Sequence, residues 1–439
     1  MSKNVLILGA GLVSQPLVDY LFGKTDFILT VADIREENAK QVIKGNSRGR
    51  SETLDVKNST QLGGLIAASD LVVSLLPYTL HSLVAKHCLS RKRTMVNASY
   101  VSDEIRAMDK AAQEAGVLFL CEMGLDPGID HMSAVQIIHS VQQRGGKVTE
   151  FVSVCGGLPA PDANDNPFGY KFSWSPKGVL LAGKNSARYI ENSKEKVISS
   201  EQLFHSTKPM EIEDFNFESY PNRDSVSYKS IYGLEDIDLL MRGTLRYAGW
   251  HEYIIALRAL NLLEETPVED GERSFAEFIG ELNDLDPMNI VTEVAAKLGI
   301  TADHTTMKAL QWLGLFDSNP RQFEHSTAID ELVKLMSDKM SYSPGERDMV
   351  VLQHRFKAQF EDHTEEITST LIDYGIPGGN SSMARTVSLP LAIAVKLILE
   401  EKIKLTGVQI PVDRIIYEPV LEELKTVGIS FKEEIVRYE

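Results

Sequence analysis

Two apolar runs near the start of the chain constrain the fold more than any other feature of the sequence. The first run leads directly into a glycine turn, in which Gly9 and Gly11 stand two residues apart and Ser14 takes the place of a third glycine. The second run, 27–32, ends in Asp33, nineteen residues after Ser14. This order of strand, glycine turn, helix, strand and acid is typical of a dinucleotide-binding α/β unit.

The turn and the acid each predict a contact with the nucleotide. Glycine at positions 9 and 11 lets the backbone turn tightly and approach a pyrophosphate, and the helix that follows directs its free N–H groups at the anion. A carboxylate at Asp33 accepts hydrogen bonds from ribose hydroxyls and repels a 2′-phosphate. Arg35 lies two residues further on and offers a phosphate partner. The balance favours NAD as the cofactor, with NADP possible.

Composition excludes several classes of protein. A chain of 439 residues predicts two or three domains, and its net charge of −17 argues against a nucleic-acid or anionic membrane surface. The three cysteines lack CxxC spacing, which favours neither a disulfide framework nor zinc. A strand begins within four residues of the N-terminus, so we expect no signal peptide, and the apolar stretch 389–399 contains Lys396 and predicts a buried helix. A cytoplasmic protein is expected.

The first 120 residues alternate between short apolar runs and amphipathic stretches. This alternation predicts a doubly wound parallel sheet, in which ligands bind at the carboxyl ends of the strands. The candidate strands are 4–8, 27–32, 52–54, 71–75, 94–97 and 117–120.

The pattern of residue types changes beyond Met123, from alternating apolar runs to a segment rich in turn-forming residues. The turn-rich segment 124–131 predicts a helix from Met132 with Asp130 as its cap. Strand-like pieces such as 151–155 and 178–181, separated by polar and aromatic loops, predict a mainly β substrate domain.

Helical periodicity dominates from about 250 to 370. Apolar residues at 349, 352, 356 and 360 form one stripe, and 343–346 supplies a helix start. We therefore expect a helical insertion, followed by mixed strand and helix in 371–439.

The histidines and two of the arginines indicate what kind of chemistry the chain supports. The histidines show no metal-ligand spacing, so no metal site is expected, and His131 is predicted as a hydrogen-bonded residue at a helix start rather than a base. Arg223 and Arg246 stand among stiff aromatic loops and suit carboxylates, although either alone could be a surface ion pair. These features together predict an NAD-linked enzyme that acts on a small polyacid.

Seven segments, in order along nearly the whole chain, resemble the saccharopine dehydrogenase family, and specifically its glutamate-forming branch. They are 98–102, 124–131, 155–161, 170–176, 220–225, 242–247 and 381–386. The resemblance implies a Rossmann domain (1–123), an α/β substrate domain (124–249), an all-helical insertion (250–370) and a C-terminal return to the first two domains (371–439). It also implies interconversion of saccharopine with 2-aminoadipate 6-semialdehyde and glutamate, in lysine metabolism, by a homodimer.

The resemblance also assigns residues by their positions in these motifs. The implied substrate contacts are Ser99, Tyr100, Asp126, Arg223, Thr244 and Arg246. The implied cofactor contacts are Gly9, Gly11, Leu12, Val13, Asp33, Arg35, Asp55, Val56, Leu76, Ala98, Leu125 and Ser175. Asp126 is the leading acid–base candidate, with Tyr100 or Cys155 assisting.

One departure from the family bears on the cofactor. NADP-using fungal members resemble one another in having an arginine–threonine pair, and no acid, at the end of the second strand. Asp33 stands there in this chain, which favours NAD and fits lysine breakdown at least as well as synthesis. Two alternatives remain: a related dehydrogenase of carboxyalkyl amines, of the carboxynorspermidine or opine type, and a catalytically idle NAD-binding scaffold.

Overall fold

Residues 2–439 of a computed structural model are described, and their backbone divides into two units. Unit 1 comprises residues 2–148, Ile231–Leu234 and Leu352–Glu439. Unit 2 comprises Thr149–Ser230 and Glu235–Val351.

The first part of unit 1 alternates strands and helices. Its elements are β1 (Asn4–Leu8), α1 (Gln15–Lys24), β2 (Ile28–Asp33), α2 (Glu36–Ile43), β3 (Gly49–Thr53), α3 (Ser59–Ala67), β4 (Leu71–Ser74), α4 (His81–Ser90), β5 (Thr94–Asn97), α5 (Asp103–Arg106), α6 (Asp109–Ala115), β6 (Leu118–Leu120) and α7 (Ile129–Gln143).

Unit 2 follows, beginning within a long strand. Its elements are β7 (Lys147–Pro159), α8 (Pro176–Ala182), β8 (Ala187–Glu191), β9 (Lys194–Ile198), β10 (Lys208–Ile212), β11 (Phe215–Pro221), α9 (Tyr228–Ile231), β12 (Leu239–Tyr247), α10 (Trp250–Ala259), β13 (Pro267–Val268), β14 (Gly271–Arg273), α11 (Phe275–Asn283), α12 (Ile290–Leu298), α13 (Thr305–Leu313), β15 (Arg321–Phe323), β16 (Ser326–Thr327), α14 (Ala328–Lys339) and β17 (Asp348–Gln359).

The chain then returns to unit 1 within β17. The remaining elements are β18 (Thr364–Tyr374), α15 (Ser382–Leu399), β19 (Gly407–Gln409), α16 (Arg414–Thr426) and β20 (Lys432–Tyr438). Short 3₁₀ helices occur at Tyr78–Leu80, Pro161–Ala163, Phe204–Ser206 and Pro287–Asn289.

A seven-stranded parallel sheet organises unit 1 and confirms the predicted Rossmann architecture. Its order is β19-β6-β5-β4-β1-β2-β3, and each neighbouring pair is parallel. Strands β1 and β4 are buried along nearly their whole length, which explains why they are continuous apolar runs rather than alternating ones. The strand order reverses between β1 and β4, so the carboxyl ends of these two strands flank the place where such a sheet binds its ligand.

Unit 2 contains a mixed sheet. Strands β10, β11, β12 and β7 are neighbours in that order; β12 is antiparallel to β11 and parallel to β7. The hairpin β8–β9 attaches to β12. The segment that was predicted to be all-helical holds helices α10–α14, but also two small antiparallel pairs, β13 with β16 and β14 with β15.

Three local predictions were wrong. The predicted helix over 349–360 is strand β17 up to Gln359, and the helix start predicted at 343–346 is a turn before that strand. From His354 to Phe360 buried residues alternate with exposed ones, which is the period of a strand. The run 178–181 lies in helix α8, whose start is set by the Ser175 hydroxyl, which accepts from the backbone N–H of Gly178, and by Pro176 at the first helical position. Asp130 lies inside the first turn of α7 rather than before it.

Helix α15 contains the apolar stretch 389–399. Among residues 2–439 it is the one helix with the length and composition to cross a membrane, and 72% of it is buried inside the protein. Such burial is typical of a core helix.

Candidate active site

The glycine turn after β1 is closed by its neighbours. Gly9 has φ +98°, and its N–H donates to the carbonyl of Ala32 at 2.8 Å. A Cβ at Gly9 would lie 3.0 Å from the carbonyl oxygen of Leu75, which follows β4. Ser14 is fully buried, and its hydroxyl donates to the carbonyl of Gly11 at 2.7 Å. The backbone at position 9 therefore passes too close to Leu75 for a side chain to fit. The turn continues directly into the N-terminus of α1.

Asp33, at the end of β2, is bonded to three donors. Its Oδ2 accepts from the backbone N–H of Ala10 at 2.9 Å. Its Oδ1 accepts from the backbone N–H of Arg35 at 3.0 Å and from the amide of Asn38 at 3.2 Å. The acid is thus at the predicted strand end, and it also holds the glycine turn in place.

Apolar side chains stand exposed around these strand ends. Leu12 after β1, Ile34 after β2 and Tyr78 after β4 are 72%, 70% and 76% exposed. Exposed apolar residues of this size at the carboxyl edge of a parallel sheet suit the flat face of a base.

The other predicted cofactor contacts differ in exposure. Leu76 and Ala98 are half-buried, Asp55 is exposed, and Val56 and Leu125 are buried. Val56 packs in the core cluster of unit 1, so its side chain serves the fold. Ser175 lies in unit 2, where its hydroxyl caps α8.

A tight loop carries Asp126. Gly128 has φ +148°, and a Cβ there would lie 2.0 Å from the carbonyl oxygen of Gly124. The N–H of Gly124 donates to the carbonyl of Pro127 at 2.9 Å, across a cis Asp126–Pro127 bond. The half-buried Asp126 at the tip accepts from the hydroxyl of Tyr100 at 3.1 Å. The two leading acid–base candidates are therefore in contact.

Glu122 secures the segment that bears Tyr100. It is buried, and its Oε1 accepts from the N–H of Val101 at 3.0 Å. Its Oε2 pairs with Nε2 of the fully buried His131 at 2.8 Å, and the other nitrogen of that ring contacts the hydroxyl of Tyr232. His131 is thus a hydrogen-bonded residue in the first turn of α7, the place that its sequence context predicts.

Ser99 follows β5 and is held from three directions. Its N–H donates to Oδ1 of Asn97 at 2.9 Å, and its carbonyl accepts from the N–H of Glu122 at 3.1 Å. Its hydroxyl lies 2.9 Å from Nε2 of His81, whose Nδ1 lies 2.9 Å from the hydroxyl of Ser74.

In unit 2, three predicted site residues come from two adjacent strands. Thr244 of β12 is in register with Cys155 of β7, and with Tyr220 of β11 on its other side. Arg246 lies two residues beyond Thr244 and therefore on the same face of β12. Arg223 follows β11 in the left-handed region, with φ +51°, and its side chain is exposed.

Arg246 is a buried cation. It is 6% exposed, and its guanidinium carbon lies 5.0 Å from the ring centre of Tyr170 and 5.7 Å from that of Trp250. Nη1 donates to the carbonyl of Leu245 at 2.7 Å, whereas the buried Nε has no hydrogen-bond partner.

The carboxylate opposite Arg246 on the neighbouring strand does not neutralise the guanidinium. Glu218, opposite Arg246 on β11, accepts instead from the backbone N–H groups of Gly249 and His251 and pairs with the His251 ring. Among residues 2–439, no carboxylate forms an ion pair with Arg246. Such a buried, aromatic-lined guanidinium without a carboxylate has donors that suit an anionic ligand.

Comparisons with known proteins place the chain in a family. The saccharopine dehydrogenase NADP binding domain matches residues 5–120, and the saccharopine dehydrogenase C-terminal domain matches residues 124–429. The chain belongs to the saccharopine dehydrogenase family. The resemblance in the sequence motifs is thereby confirmed.

Two fungal relatives in this family match along their whole length, and a longer mammalian relative matches over about half of its length. The chain is 40% identical to saccharopine dehydrogenase [NADP(+), L-glutamate-forming] of Saccharomyces cerevisiae, covering 99% of this chain and 100% of that protein. It is 38% identical to the enzyme of the same name in Pyricularia oryzae, covering 99% of each. It is 37% identical to bovine alpha-aminoadipic semialdehyde synthase, of which it covers 47%.

Two solved structures of other proteins match the fold of this chain. An apo structure of the Saccharomyces cerevisiae saccharopine dehydrogenase (L-Glu forming) matches with a TM-score of 0.90 over 99% of this chain and 100% of that one. A homospermidine synthase from Legionella pneumophila, at 10% identity and a TM-score of 0.56, shares the fold.

Within this family fold, the predicted substrate residues fall into two sets. Ser99, Tyr100 and Asp126 lie in unit 1, whereas Arg223, Thr244 and Arg246 lie in unit 2 together with the third acid–base candidate, Cys155. Among residues 2–439, no group of three or more His, Cys, Asp or Glu is placed to hold a metal ion.

The sequence analysis missed His81 and Trp250, and it gave no role to Tyr170, although segment 170–176 was singled out. His81 bridges two strand ends, and Tyr170 and Trp250 enclose Arg246. A histidine at the first position of the helix that follows β4 was the available signal for His81, since helix starts at this edge of the sheet face the ligand.

Proposed function

We propose that this chain is an oxidoreductase that interconverts saccharopine, water and NAD(P)⁺ with 2-aminoadipate 6-semialdehyde, L-glutamate and NAD(P)H. The observation that carries the proposal is the buried Arg246 guanidinium, which lacks a carboxylate partner among residues 2–439. Saccharopine bears three carboxylates. The relatives that match along their whole length are named for this substrate and this product.

The residues present fit a nicotinamide nucleotide. Gly9 leaves room for the backbone to pass β4, the N-terminus of α1 follows the turn, and Asp33 stands at the end of β2. A nicotinamide nucleotide held there would supply the acceptor for a hydride from the substrate carbon that bears the secondary amine.

The protein's own residues then have separate tasks. We assign Arg246, Arg223 and Thr244 to the substrate carboxylates, which fixes the reacting carbon in position. Asp126, hydrogen-bonded to Tyr100, takes the proton from the secondary amine so that its lone pair can form the imine. Water then adds to the imine carbon, and the carbinolamine collapses to the aldehyde and glutamate.

We further propose that NAD is preferred over NADP. The Asp33 carboxylate, together with Glu36 and Glu37 in the first turn of α2, concentrates negative charge where a 2′-phosphate would lie. Arg35 is the one cation between Asp33 and Glu37, and its side chain is exposed. Lys40 pairs with Glu36 at 3.1 Å, which leaves Asp33 and Glu37 as the carboxylates of this stretch without a lysine partner among residues 2–439. The two fungal relatives carry NADP(+) in their names, so the proposal separates this chain from them.

The test is the initial rate of nicotinamide reduction by purified protein with saccharopine, run in parallel with NAD and with NADP. Reduction of NAD at a kcat/KM at least about tenfold above that with NADP supports both proposals, since one ribose contact to a charged group contributes about 1.5–3 kcal/mol. Faster reduction of NADP overturns the cofactor preference alone. Turnover of a carboxyalkyl diamine in place of saccharopine overturns the reaction.

We also propose that the enzyme is a homodimer, as the family resemblance implies, and that it is cytoplasmic, as its composition and cysteine content indicate. Light scattering coupled to gel filtration should give twice the chain mass of 48.8 kDa. A mass of one chain at micromolar concentration would refute the dimer, and fractionation of cells tests the compartment.

A further inference from the structure

His81 links the carboxyl ends of β4 and β5 in unit 1 and has no role in the reaction proposed for this chain. It is the first residue of α4 and is 3% exposed, and each of its ring nitrogens lies 2.9 Å from a serine hydroxyl. Ser74 ends β4 and is 1% exposed, whereas Ser99 is only half-buried and can meet a ligand.

The imidazole is neutral. Burial lowers the pKa of His81 to about 4. A neutral imidazole carries one N–H, so one serine must donate to the ring and the other must accept from it.

The surroundings of Ser74 determine which ring nitrogen of His81 carries the proton. Among residues 2–439, the hydroxyl of Ser74 has no hydrogen-bond partner other than Nδ1 of His81. If Nδ1 carried the proton, the buried Ser74 hydroxyl would have no acceptor for its own hydrogen, which is unfavourable. Nδ1 is therefore the acceptor, and Nε2 carries the N–H.

That tautomer determines what Ser99 offers. The Nε2–H of His81 donates to the Ser99 oxygen, which leaves the hydrogen of the Ser99 hydroxyl for a ligand. At its Ser74 end the chain of bonds stops at a buried hydroxyl with no further partner among the described residues, so it cannot conduct protons through the protein; it holds an orientation. The backbone of Ser99 is already fixed by Asn97 and Glu122, and the hydroxyl is its one remaining rotor.

We propose that His81 is a positioning residue, set as the Nε2–H tautomer by Ser74, which makes the hydroxyl of Ser99 a hydrogen-bond donor to a carboxylate of the substrate. The assignment of a carboxylate ligand rests on the proposed function. The tautomer itself does not.

Selective ¹⁵N labelling of histidine tests the tautomer without any substrate. The His81 resonances, assigned by their loss in His81→Gln, should show a protonated Nε2 and an unprotonated Nδ1. A protonated Nδ1 overturns the proposal, and so does a ring with both nitrogens protonated at pH 7.

Two substitutions separate the contacts that the ring makes. The amide of His81→Gln reaches the position of Nε2 and can still donate to Ser99, whereas that of His81→Asn reaches only the position of Nδ1. We expect His81→Gln to keep kcat/KM for saccharopine within about fivefold of the parent. We expect His81→Asn to lose about 10- to 100-fold, the same loss that we expect for Ser99→Ala. Equal losses in Gln and Asn variants overturn the positioning role.

A double-mutant cycle shows whether His81 acts through Ser99. In the Ser99→Ala background, His81→Asn should lower kcat/KM by less than about threefold, because the group that it positions is absent. Full additivity overturns the proposal. His87→Gln, on the same helix, is the matched control and should leave the kinetics unchanged, since His87 contacts Ser59 and Arg91. If saccharopine is not turned over by the parent protein, the proposed function fails, while the resonance experiment still decides the tautomer.

Discussion

Replacing Arg246 with methionine tests the substrate assignment most directly. Methionine keeps an unbranched chain that can stay between Tyr170 and Trp250, but it removes the charge and every donor. The Nη1 bond to the carbonyl of Leu245 occupies one side of the guanidinium, which leaves Nε and Nη2 to bind a carboxylate as a fork.

The size of the effect follows from those two donors. A hydrogen bond between charged groups contributes about 1.5–3 kcal/mol, and two that share one carboxylate are less than additive. We therefore expect a loss of about 2–4 kcal/mol, which is about 30- to 1000-fold in kcat/KM for saccharopine. The KM for the nucleotide should change by less than about twofold, because Arg246 is not among the residues assigned to the nucleotide.

The chain offers a closely matched control for this substitution. Arg273 also lies over two rings, those of Phe278 and Phe323, and also has a buried Nε without a partner, but it pairs with Glu281 at 3.3 Å. Arg273→Met should change the free energy of unfolding and leave the kinetics with saccharopine unaltered. A loss below tenfold in Arg246→Met, or equal kinetic losses in the two variants, would refute the reasoning.

Three further predictions follow from the geometry. Asp33→Asn should raise KM for NAD and lower it for NADP, shifting their ratio by about tenfold or more, and parallel initial rates with both nucleotides measure it. Tyr100→Phe removes the donor to Asp126 and should lower kcat about 10- to 100-fold while leaving nucleotide binding, measured by fluorescence titration, intact. The Arg144 guanidinium holds the pKa of buried Glu365 down at about 2, so this stabilisation is complete above the ordinary glutamate pKa and is lost as pH falls towards 2. Glu365→Gln should therefore cost about 1–3 kcal/mol of unfolding free energy at pH 7 and progressively less below pH 4, as urea titrations at both pH values will show.

Much of unit 1 could be predicted because its signals are local. A parallel strand that is buried on both faces must be a continuous apolar run, and a turn that approaches a pyrophosphate needs glycine, so each feature is confined to a few adjacent residues. The predicted strand 94–97 coincides with β5, and 71–75 and 117–120 differ from β4 and β6 by one residue.

Strand β17 shows where local signals mislead. Its first seven residues are all buried, so neither the helical nor the strand period is visible there, and the spacing of 349, 352, 356 and 360 imitates a helix. Only the exposed Arg355, Lys357 and Gln359 reveal a period of two. Burial on both faces comes from neighbouring strands far away in the sequence, which a local pattern does not contain.

The same limit applies to the chemistry of the site. The position of Asp33 predicts an acid beside the ribose, yet it does not reveal that both carboxylate oxygens already accept from the turn and from α2. Removing the side chain would therefore loosen the turn that approaches the pyrophosphate as well as the contact with the ribose. Asparagine retains one oxygen for the N–H of Ala10 and removes the charge, so it separates the two roles, whereas alanine confounds them. Asp33 is therefore constrained both by the proposed choice of cofactor and by its support of the glycine turn. A substitution that changes the cofactor preference must supply another acceptor for the N–H of Ala10.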